Sequence, residues 1–394
     1  MARNCLKYFG IYSLWRTWLI ALTLISVKIL PFQQRFSAYM FEALRPVPSW
    51  AWPWANMDGV VFMLIAKNGY ETVQLPFFPL FPFIIRVLQQ LTGLPYIFAG
   101  LFASLLLSWG AFFFLKRLLQ LEKQSKLLLL IVTLYLVYPT GHYLSAVYND
   151  SLFVMLSLAT FFFGRQHQYA KASVVGFLAT LARLNGLALF AFLGMEYFIQ
   201  VSSQIGLDPY FSKFSRKYWQ LFLPKNWWRT GIYWALLIPG AFAAYLAWIQ
   251  WQFGDWSLFF SNAAVWHRSH LTFPLQTVWR YGRMMMTVPM DTLVYWVACS
   301  ELFFALFYVI WLIWSWKRIR FSYWVFWAVS WIIPSVTGTF QGMPRYGLHM
   351  FPLFFAIALW LTGKPRWVTW LWMGISLFLQ TIFVMYYTRG YFVA

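Results

Sequence analysis

Eleven stretches of mainly apolar residues recur along the chain, each bounded by charged residues or prolines. A helix needs about 20 mainly apolar residues to cross a bilayer, and a helix buried in protein and lipid is apolar all round. The pattern therefore predicts an all-α, polytopic membrane protein with about eleven spans. The predicted spans are 11–30, 96–115, 127–139, 150–164, 172–183, 186–201, 231–252, 292–316, 322–338, 350–362 and 367–387.

Two stretches do not fit a simple crossing. Residues 77–92 contain two prolines and an arginine, and they are predicted to form an interfacial helix on the outer surface. The long stretch 172–201 is interrupted by polar residues at 183–186. This interruption predicts two short helices that meet at an outward turn.

The composition argues against a soluble domain, a disordered chain and a nucleic-acid-binding protein. Of the 394 residues, 61% are apolar and only 10% are charged, against about 25% charged in a typical soluble domain. Disordered chains are poor in aromatic residues, whereas Phe, Trp and Tyr make up 23% of this chain. The basic residues are dispersed between apolar stretches, which argues against nucleic acid as a partner.

The charge distribution predicts an orientation. With the N-terminus in the cytoplasm, the inner loops hold about twice as many Lys and Arg residues as the outer loops, as the positive-inside rule requires. The first apolar stretch has no good cleavage site and is predicted to stay as an uncleaved span. The chain is then one domain, 1–394, with outer loops at 31–95 and 253–291 and short outer connections at 140–149, 183–186 and 339–349.

The ten acidic residues are few enough to consider singly. Glu122 and Asp208 fall on the predicted inner side, where we expect a solvated surface role. Glu196 and Glu301 fall within spans, where a carboxylate is usually functional or paired. The other six fall at the outer face, which suggests a carboxylate-dependent site there. They are Glu42, Asp58, Glu71, Asp150, Asp255 and Asp291.

Asp58 is the leading candidate among these acids. It follows an aromatic run at 50–54, typical of a membrane interface, and it precedes a short predicted helix that ends with Gly69 in the C-cap position. Two interpretations stay open at this point. An acidic residue at a helix start stabilises the helix as a cap, and an accessible carboxylate can act as a general base.

Four segments within 58–353 resemble, in order, motifs of the PIG-V-type mannosyltransferases, the second mannosyltransferases of GPI-anchor assembly, and of their bacterial relatives. The segments are Asp58–Gly59 with Ile65–Tyr70 and Phe77–Pro82, then Tyr148–Phe153, Ala182–Leu187 and Arg345–Leu353. The chain departs from the family pattern at Met57, Lys67–Asn68 and Asn149–Asp150, where the family has Trp, Glu-His and Ser-Glu.

The resemblance implies a GT-C-type helix bundle with its catalytic Asp58 in the first outer loop. It implies an inverting transfer of mannose, or a similar hexose, from a polyprenyl- or dolichyl-phosphate donor to a hydroxyl of a glycolipid, glycan or protein. The reaction would take place on the outer face of a bacterial plasma membrane or the lumenal face of the endoplasmic reticulum. The candidate substrate contacts are Arg183, Asn185, Arg345, Tyr346, Asn149, Asp150, Lys67 and His349.

Residue chemistry supports these contacts but leaves alternatives open. A phosphate needs fixed cations, and Arg183 and Arg345 could provide bidentate donors. Arg183 could equally pair with a carboxylate in a span or extend to the interface. Arg345 and Tyr346 could form an interfacial anchor, and Asn149–Asp150 could cap the following helix.

We expect no cofactor, and the need for a divalent metal stays open. His267 and His270 lack the further ligands that zinc needs. Cys5 and Cys299 give no disulfide framework. Two other functions also stay open. One is a transporter or lipid flippase, with which the broken helix at 183–186 agrees in part. The other is a non-catalytic membrane subunit of a glycosylation complex.

Overall fold

The computed structural model describes residues 2–33, 47–48, 50–204, 206, 208, 224–265 and 271–393. Within these residues the chain is helical and contains no strand. The α-helices are α1 Ala2–Ile29, α2 Asp58–Asn68, α3 Leu80–Thr92, α4 Tyr96–Leu121, α5 Leu128–Val137, α6 Asp150–Arg165, α7 Tyr169–Ala182, α8 Ala188–Gln204, α9 Pro224–Thr230, α10 Leu237–Phe253, α11 Leu258–Val265, α12 Pro274–Thr287, α13 Leu293–Ser315, α14 Phe321–Ser335, α15 Met343–Tyr346, α16 Phe351–Thr362 and α17 Arg366–Thr388.

Every one of the eleven predicted apolar stretches forms a helix, but the helices differ in length. Among the described residues, six helical segments are long and apolar enough to cross a membrane, as expected for a multi-pass membrane protein. The other five predicted spans correspond to α5, α6, α7, α14 and α16, which have 10 to 16 residues. Helix length therefore supports six crossings, and the number eleven stays a prediction.

The five short helices all begin or end at irregular segments of the chain. These segments are 138–149, 183–187 and 336–350. All residues of 138–149 and of 343–350 are buried, so the predicted outer connections are folded into the protein. Irregular backbone at membrane depth is tolerated only where protein buries it or where it lines a cavity. The short helices thus leave room for internal segments that combine short helical turns with irregular backbone.

Part of the predicted first outer loop, 31–95, is helical. Helix α2 ends at Asn68 with Gly69 as its C-cap, as predicted, and the φ of 88° at Gly69 is accessible to glycine without steric cost. Helix α3 lies at the predicted interfacial segment; it buries Phe81 and leaves Phe83 62% exposed. Residues 34–46 and 49 of the loop lie outside the described residues.

The predicted interruption within 172–201 is confirmed. Helix α7 ends at Ala182, and a 3-10 turn, Leu184–Leu187, leads into α8. Gly186 makes this turn possible, because a Cβ added there would lie 2.5 Å from the backbone N and Cα of Thr180. The close approach turns the chain back on itself directly after Arg183.

Helices α11 and α12 occupy much of the predicted second outer loop, 253–291. His267 and His270 lie outside the described residues, as does most of the predicted inner segment 202–230.

Helix α6 carries a charged residue at each end, Asp150 first and Arg165 last. A rise of 1.5 Å per residue separates these two ends by about 22 Å. Each end belongs to a different group of charged side chains. We call them the Asp58 cluster, which contains Asp58, Asp150, Arg183, Arg345 and His349, and the Glu196 cluster, which contains Glu122, Arg165, Glu196 and Arg320.

Candidate active site

Asp150 is the centre of the Asp58 cluster, and its side chain is fully buried. Its Oδ1 atom lies 3.4 Å from Nη1 of Arg183, 3.2 Å from Nε of Arg345 and 2.8 Å from Nε2 of His349. A buried carboxylate is tolerated only when it is paired in this way. The residue before it, Asn149, makes no side-chain cap to α6, so the capping alternative is not the arrangement found.

Arg345 connects Asp150 to Asp58. Its Nη1 atom donates to Oδ2 of Asp58 at 2.7 Å, and its guanidinium carbon lies 5.2 Å from the ring centre of Tyr143 and 4.9 Å from that of Tyr148. The Asp58 side chain keeps 27% of its exposure, whereas that of Arg345 keeps 10%. A buried cation therefore holds a carboxylate that is still accessible.

The backbone that leads into Asp58 is strained and held in place. Met57 has φ 57° and ψ −117°, a conformation that residues with a side chain seldom adopt. The neighbouring Asn56 donates from Nδ2 to the carbonyl of Tyr387 at 2.9 Å, and its own carbonyl accepts from the Tyr148 hydroxyl at 2.8 Å. Strain of this kind is concentrated at functional sites. The Asp58 carboxylate meets Arg345, and no side-chain cap forms at the N-cap residue of α2.

Arg183 joins three parts of the chain. Its Nη1 atom donates to Oδ1 of Asn149 at 3.2 Å and to Oδ1 of Asp150 at 3.4 Å. Its guanidinium carbon lies 4.8 Å from the ring centre of Tyr346. Nδ2 of Asn149 donates in turn to the carbonyl of Ala182 at 2.8 Å. Arg183 thus pairs with a carboxylate, as one of the two alternatives predicted, and its contact with a phosphate stays a prediction.

The histidines of this region are uncharged at neutral pH. Burial, with the charge of Arg183, lowers the pKa of His349 to about 3, and burial lowers the pKa of His142 to about 3. Because a carboxylate can only accept, Nε2 of His349 carries the proton and donates to Asp150. Two carboxylates and two guanidiniums then leave the Asp58 cluster with no net charge.

Several polar atoms of this region are buried without a hydrogen-bond partner among the described residues. They include Oδ2 of Asp150, Nδ1 of His349 and the hydroxyl of Ser151. Buried polar atoms normally find a partner in the protein or in ordered water. The Asp58 cluster therefore has unused hydrogen-bonding capacity.

Two predicted contact residues lie apart from this cluster. Asn185 donates from Nδ2 to the carbonyl of Ser330 at 3.4 Å, which joins the break after α7 to α14. Lys67 is exposed near the end of α2, about 14 Å along the helix from Asp58. Substrate contacts of these two residues stay predictions. Sequence reasoning missed Tyr143 and Tyr148; only Tyr148 gave a signal, as the first residue of one motif segment.

The Glu196 cluster is bonded differently. Nε and Nη2 of Arg320 donate to the two oxygens of the fully buried Glu196 at 2.6 and 2.8 Å. Arg165 donates from Nε to Oε1 of Glu122 at 2.6 Å, and its Nη1 lies 3.6 Å from Glu196. The expectation of a solvated Glu122 was wrong, because its side chain is 18% exposed and paired with Arg165. Two hydroxyls also donate to these carboxylates, those of Ser322 and Tyr323.

The described residues contain no group of three or more His, Cys, Asp or Glu side chains placed to hold a metal ion. Arg345 lies between the carboxylates of Asp58 and Asp150, which it links. The arrangement is therefore one of ion pairs and a charge-assisted hydrogen bond from Arg345 to Asp58.

No protein-family model matches the chain. Among known proteins, it is similar to GPI mannosyltransferase 2 of Schizosaccharomyces pombe, with 31% identity over 150 residues. The aligned stretch covers 36% of this chain and 32% of that protein. The chain thus spans about a third of the length of this relative.

Proposed function

We propose that this chain is an integral membrane glycosyltransferase of the GT-C type. It transfers mannose, or a similar hexose, from a polyprenyl- or dolichyl-phosphate donor to an acceptor hydroxyl. The observation that carries the proposal is the accessible Asp58 carboxylate, held at 2.7 Å by the buried Arg345. The similarity to GPI mannosyltransferase 2 supports the choice of reaction and of sugar.

In the proposed reaction, Asp58 acts as the general base. The acceptor oxygen forms a bond to C1 of the sugar and gives its proton to the Asp58 carboxylate. The bond between C1 and the phosphate oxygen breaks, and its electron pair leaves with the lipid phosphate. The sugar passes through an oxocarbenium-like state, as in glycoside hydrolysis. Attack from the side opposite the phosphate inverts the configuration at C1.

Asp58 has the two properties that this step needs. One of its oxygens is fixed by Arg345, which orients the carboxylate, and the side chain keeps enough exposure to meet a hydroxyl. A general base must come within hydrogen-bond reach of the proton that it removes. One carboxylate suffices, because a phosphate leaves without protonation by a second acid.

Arg183 and Arg345 are the proposed phosphate contacts. Negative charge grows on the phosphate as the bond to C1 breaks, and fixed donors at that position stabilise the transition state. Asp150 holds both guanidiniums by a single buried oxygen, at 3.4 Å and 3.2 Å. Its proposed role is therefore to position the two cations rather than to contact the sugar.

The proposed location follows from the predicted orientation. The protein would lie in a bacterial plasma membrane or in the membrane of the endoplasmic reticulum, with a cytoplasmic N-terminus and the Asp58 cluster at the outer or lumenal face. The lipid of the donor would lie against the aromatic-rich spans. The acceptor would be a glycolipid, a glycan or a protein.

Asp58→Asn in purified, folded protein tests this proposal. The assay follows release of dolichyl phosphate from dolichyl-phosphate mannose in proteoliposomes with a glycolipid acceptor. Loss of a general base predicts a decrease of about 100-fold or more in turnover per folded protein. Asp255→Asn is the matched control, because Asp255 is exposed and bonds locally to Ser257.

Three results would contradict the proposal. Full turnover by Asp58→Asn would show that Asp58 is not the general base. Movement of the lipid across the bilayer without turnover of the donor would indicate a flippase. Turnover that needs a second protein and is unaffected by Asp58→Asn would indicate a non-catalytic subunit.

A further inference from the structure

Glu301 is a buried carboxylate that the proposed reaction does not use. It lies on α13, and its residue is 4% exposed. Its Oε2 atom accepts from the Tyr281 hydroxyl at 2.7 Å, and its Oε1 accepts from the backbone N–H of Gly342 at 3.0 Å. Removing a carboxylate from water is costly, and such bonds offset that cost only in part. The two bonds fix the Tyr281 hydroxyl and the Gly342 backbone to α13.

Gly342 begins the short helix that carries Arg345. It is the N-cap residue of α15, and its φ of 77° lies in the left-handed region that favours glycine. The first N–H groups of a helix have no partner within the helix. Glu301 supplies one for Gly342, and the carbonyl of Gly342 accepts from the N–H of Arg345 at 3.0 Å. Gly342 thus connects the Glu301 carboxylate to the Arg345 backbone.

Tyr281 holds the same segment from a second helix. Its hydroxyl accepts from the N–H of Phe340 at 3.0 Å and lies 3.1 Å from the hydroxyl of Thr339. Burial raises the pKa of Tyr281, so the hydroxyl stays protonated and donates to Glu301. Tyr281 belongs to the inner face of α12. The opposite face of that helix is exposed and mixed, with Leu275, Trp279 and Met286 between 68% and 85% exposed beside polar and charged side chains.

The segment is fixed on its other side as well. The hydroxyls of Tyr138 and Tyr308 donate to the carbonyl of Pro344 at 3.1 and 3.0 Å. Residues 339–344 are therefore held by side chains from α12 and α13 and by Tyr138, which follows α5. Arg345 leaves this support to reach Asp58 at 2.7 Å. A displacement of about 1 Å in such a geometry can cost about 100-fold in rate.

We propose that Glu301 is a positioning residue for the Asp58 cluster. Through Gly342 and Tyr281 it sets the position of Arg345, and through Arg345 it sets the orientation of the Asp58 carboxylate. The inference rests on the proposed function, because it assigns a role to Arg345 in turnover. It also connects helix α12, through Tyr281, to Arg345 and Asp58.

The test combines Glu301→Ala, Glu301→Gln and Tyr281→Phe with Arg345→Lys in double-mutant cycles. Turnover of dolichyl-phosphate mannose is measured per folded protein at saturating donor. Glu301→Ala is expected to lower the turnover number about 10- to 100-fold. Glu301→Gln should recover most of it, because the amide can accept from Gly342 and donate to Tyr281. In the Arg345→Lys background, Glu301→Ala should have less than about a twofold effect, because coupled residues are not additive.

Tyr245→Phe is the matched control for Tyr281→Phe. Tyr245 is a buried tyrosine on α10 whose hydroxyl donates to the carbonyl of Leu75 at 2.8 Å. It should change turnover equally, and little, in both Arg345 backgrounds. If Glu301→Ala does not fold, Tyr281→Phe still removes one of the two bonds and carries the test by itself.

The outcomes separate the two proposals. If Arg345→Lys leaves turnover unchanged, the role of Arg345 in the proposed function is wrong. If Arg345→Lys lowers turnover, while the effects of Glu301→Ala and Tyr281→Phe are the same in both backgrounds, only the positioning role is wrong. Coupling in the cycles together with rescue by Glu301→Gln supports the inference.

Discussion

The two ends of α6 carry the same kinds of side chain in two different states of bonding. In the Glu196 cluster both oxygens of a fully buried carboxylate meet Arg320, at 2.6 and 2.8 Å. In the Asp58 cluster one oxygen of Asp150 faces three cationic or polar groups, and the other has no partner among the described residues. The first group is saturated, whereas the second has an exposed carboxylate and unused acceptors. This difference is why we place the proposed site at the second cluster.

The backbone that carries each cluster differs as well. Glu196 lies within the regular helix α8, and the other three residues of its cluster lie at the ends of α4, α6 and α14, where packed helices bring their side chains together. The Asp58 cluster is drawn from the first residues of α2 and α6, from the break after α7 and from the short helical turns at 343–349. Irregular backbone can direct several side chains to one point, and it leaves polar atoms that regular packing would satisfy. Its burial is the condition on which a membrane tolerates it.

Glu196→Gln should break the saturated cluster with a large effect on stability. The substitution leaves Arg320 and Arg165 without their shared carboxylate, and loss of one partner of a buried pair is strongly destabilising. We expect a decrease of about 3 kcal/mol in the free energy of unfolding, the lower end of the usual range, because the Arg320 side chain is 26% exposed. Denaturant unfolding of the wild type and the variant in detergent measures this decrease in the free energy of unfolding.

Turnover per folded protein should stay unchanged in Glu196→Gln, since the cluster lies about 22 Å from Asp150 along α6. The double variant Glu196→Leu with Arg320→Leu should regain part of the stability, because fewer charges are left unpaired. A loss of turnover larger than the loss of folded protein would contradict the separation of the two clusters.

The helices were predictable from the sequence, because helices buried in protein or lipid appear as continuous apolar stretches. The interruption at 183–186 was also readable, since polar residues and a glycine stand together there. The short length of the five helices α5, α6, α7, α14 and α16 could not be predicted from the sequence. Each apolar stretch marks the place of one helix, but the buried segments 138–149 and 343–350 are apolar enough to resemble helix ends. Their irregular course depends on packing against the rest of the fold.

The residues of the Asp58 cluster were named from the sequence, whereas their contacts were not, and their role in a site stays a prediction. Motif resemblance and the predicted face selected Asp58, Asp150, Arg183 and Arg345. Their pairing was out of reach, because Arg345 and Asp58 are 287 positions apart. The same reason explains the wrong expectation for Glu122, whose partner Arg165 belongs to another helix. Spacing along one helix carries information about neighbours, whereas pairs between distant elements need the tertiary fold.

Lowering the pH should decrease the free energy of unfolding through the two buried histidines near the Asp58 cluster. Burial holds the pKa of His142 and of His349 at about 3 in the folded protein, against about 6.5 when unfolded. The unfolded state therefore binds more protons below pH 6.5, and stability is lost as the pH falls from 6.5 towards 3. Each histidine should cost about 1 kcal/mol between pH 6.5 and 5.5.

Unfolding free energies at these two pH values measure the effect, with His142→Phe as the informative variant. It replaces one buried ring by another and should remove about 1 kcal/mol of the pH dependence. His167→Gln is the comparison variant and should remove less of the pH dependence, because His167 is exposed between α6 and α7 although burial lowers its pKa as well. An equal pH dependence in His142→Phe and the wild type would show that His142 is not buried in its neutral form.

Lys67→Ala should have the smallest effect, although Lys67 shares α2 with Asp58. The Lys67 side chain is exposed, and a rise of 1.5 Å per residue places it about 14 Å from Asp58 along the helix. By contrast, Arg345, which is distant in sequence, donates to Asp58 at 2.7 Å. We expect KM for dolichyl-phosphate mannose and the turnover number to change less than about twofold, since an exposed charge contributes little. Lys67→Arg, which keeps the charge, is the control. A tenfold rise in KM for Lys67→Ala alone would mean that the donor extends along α2 and that the Asp58 cluster is only part of its binding site.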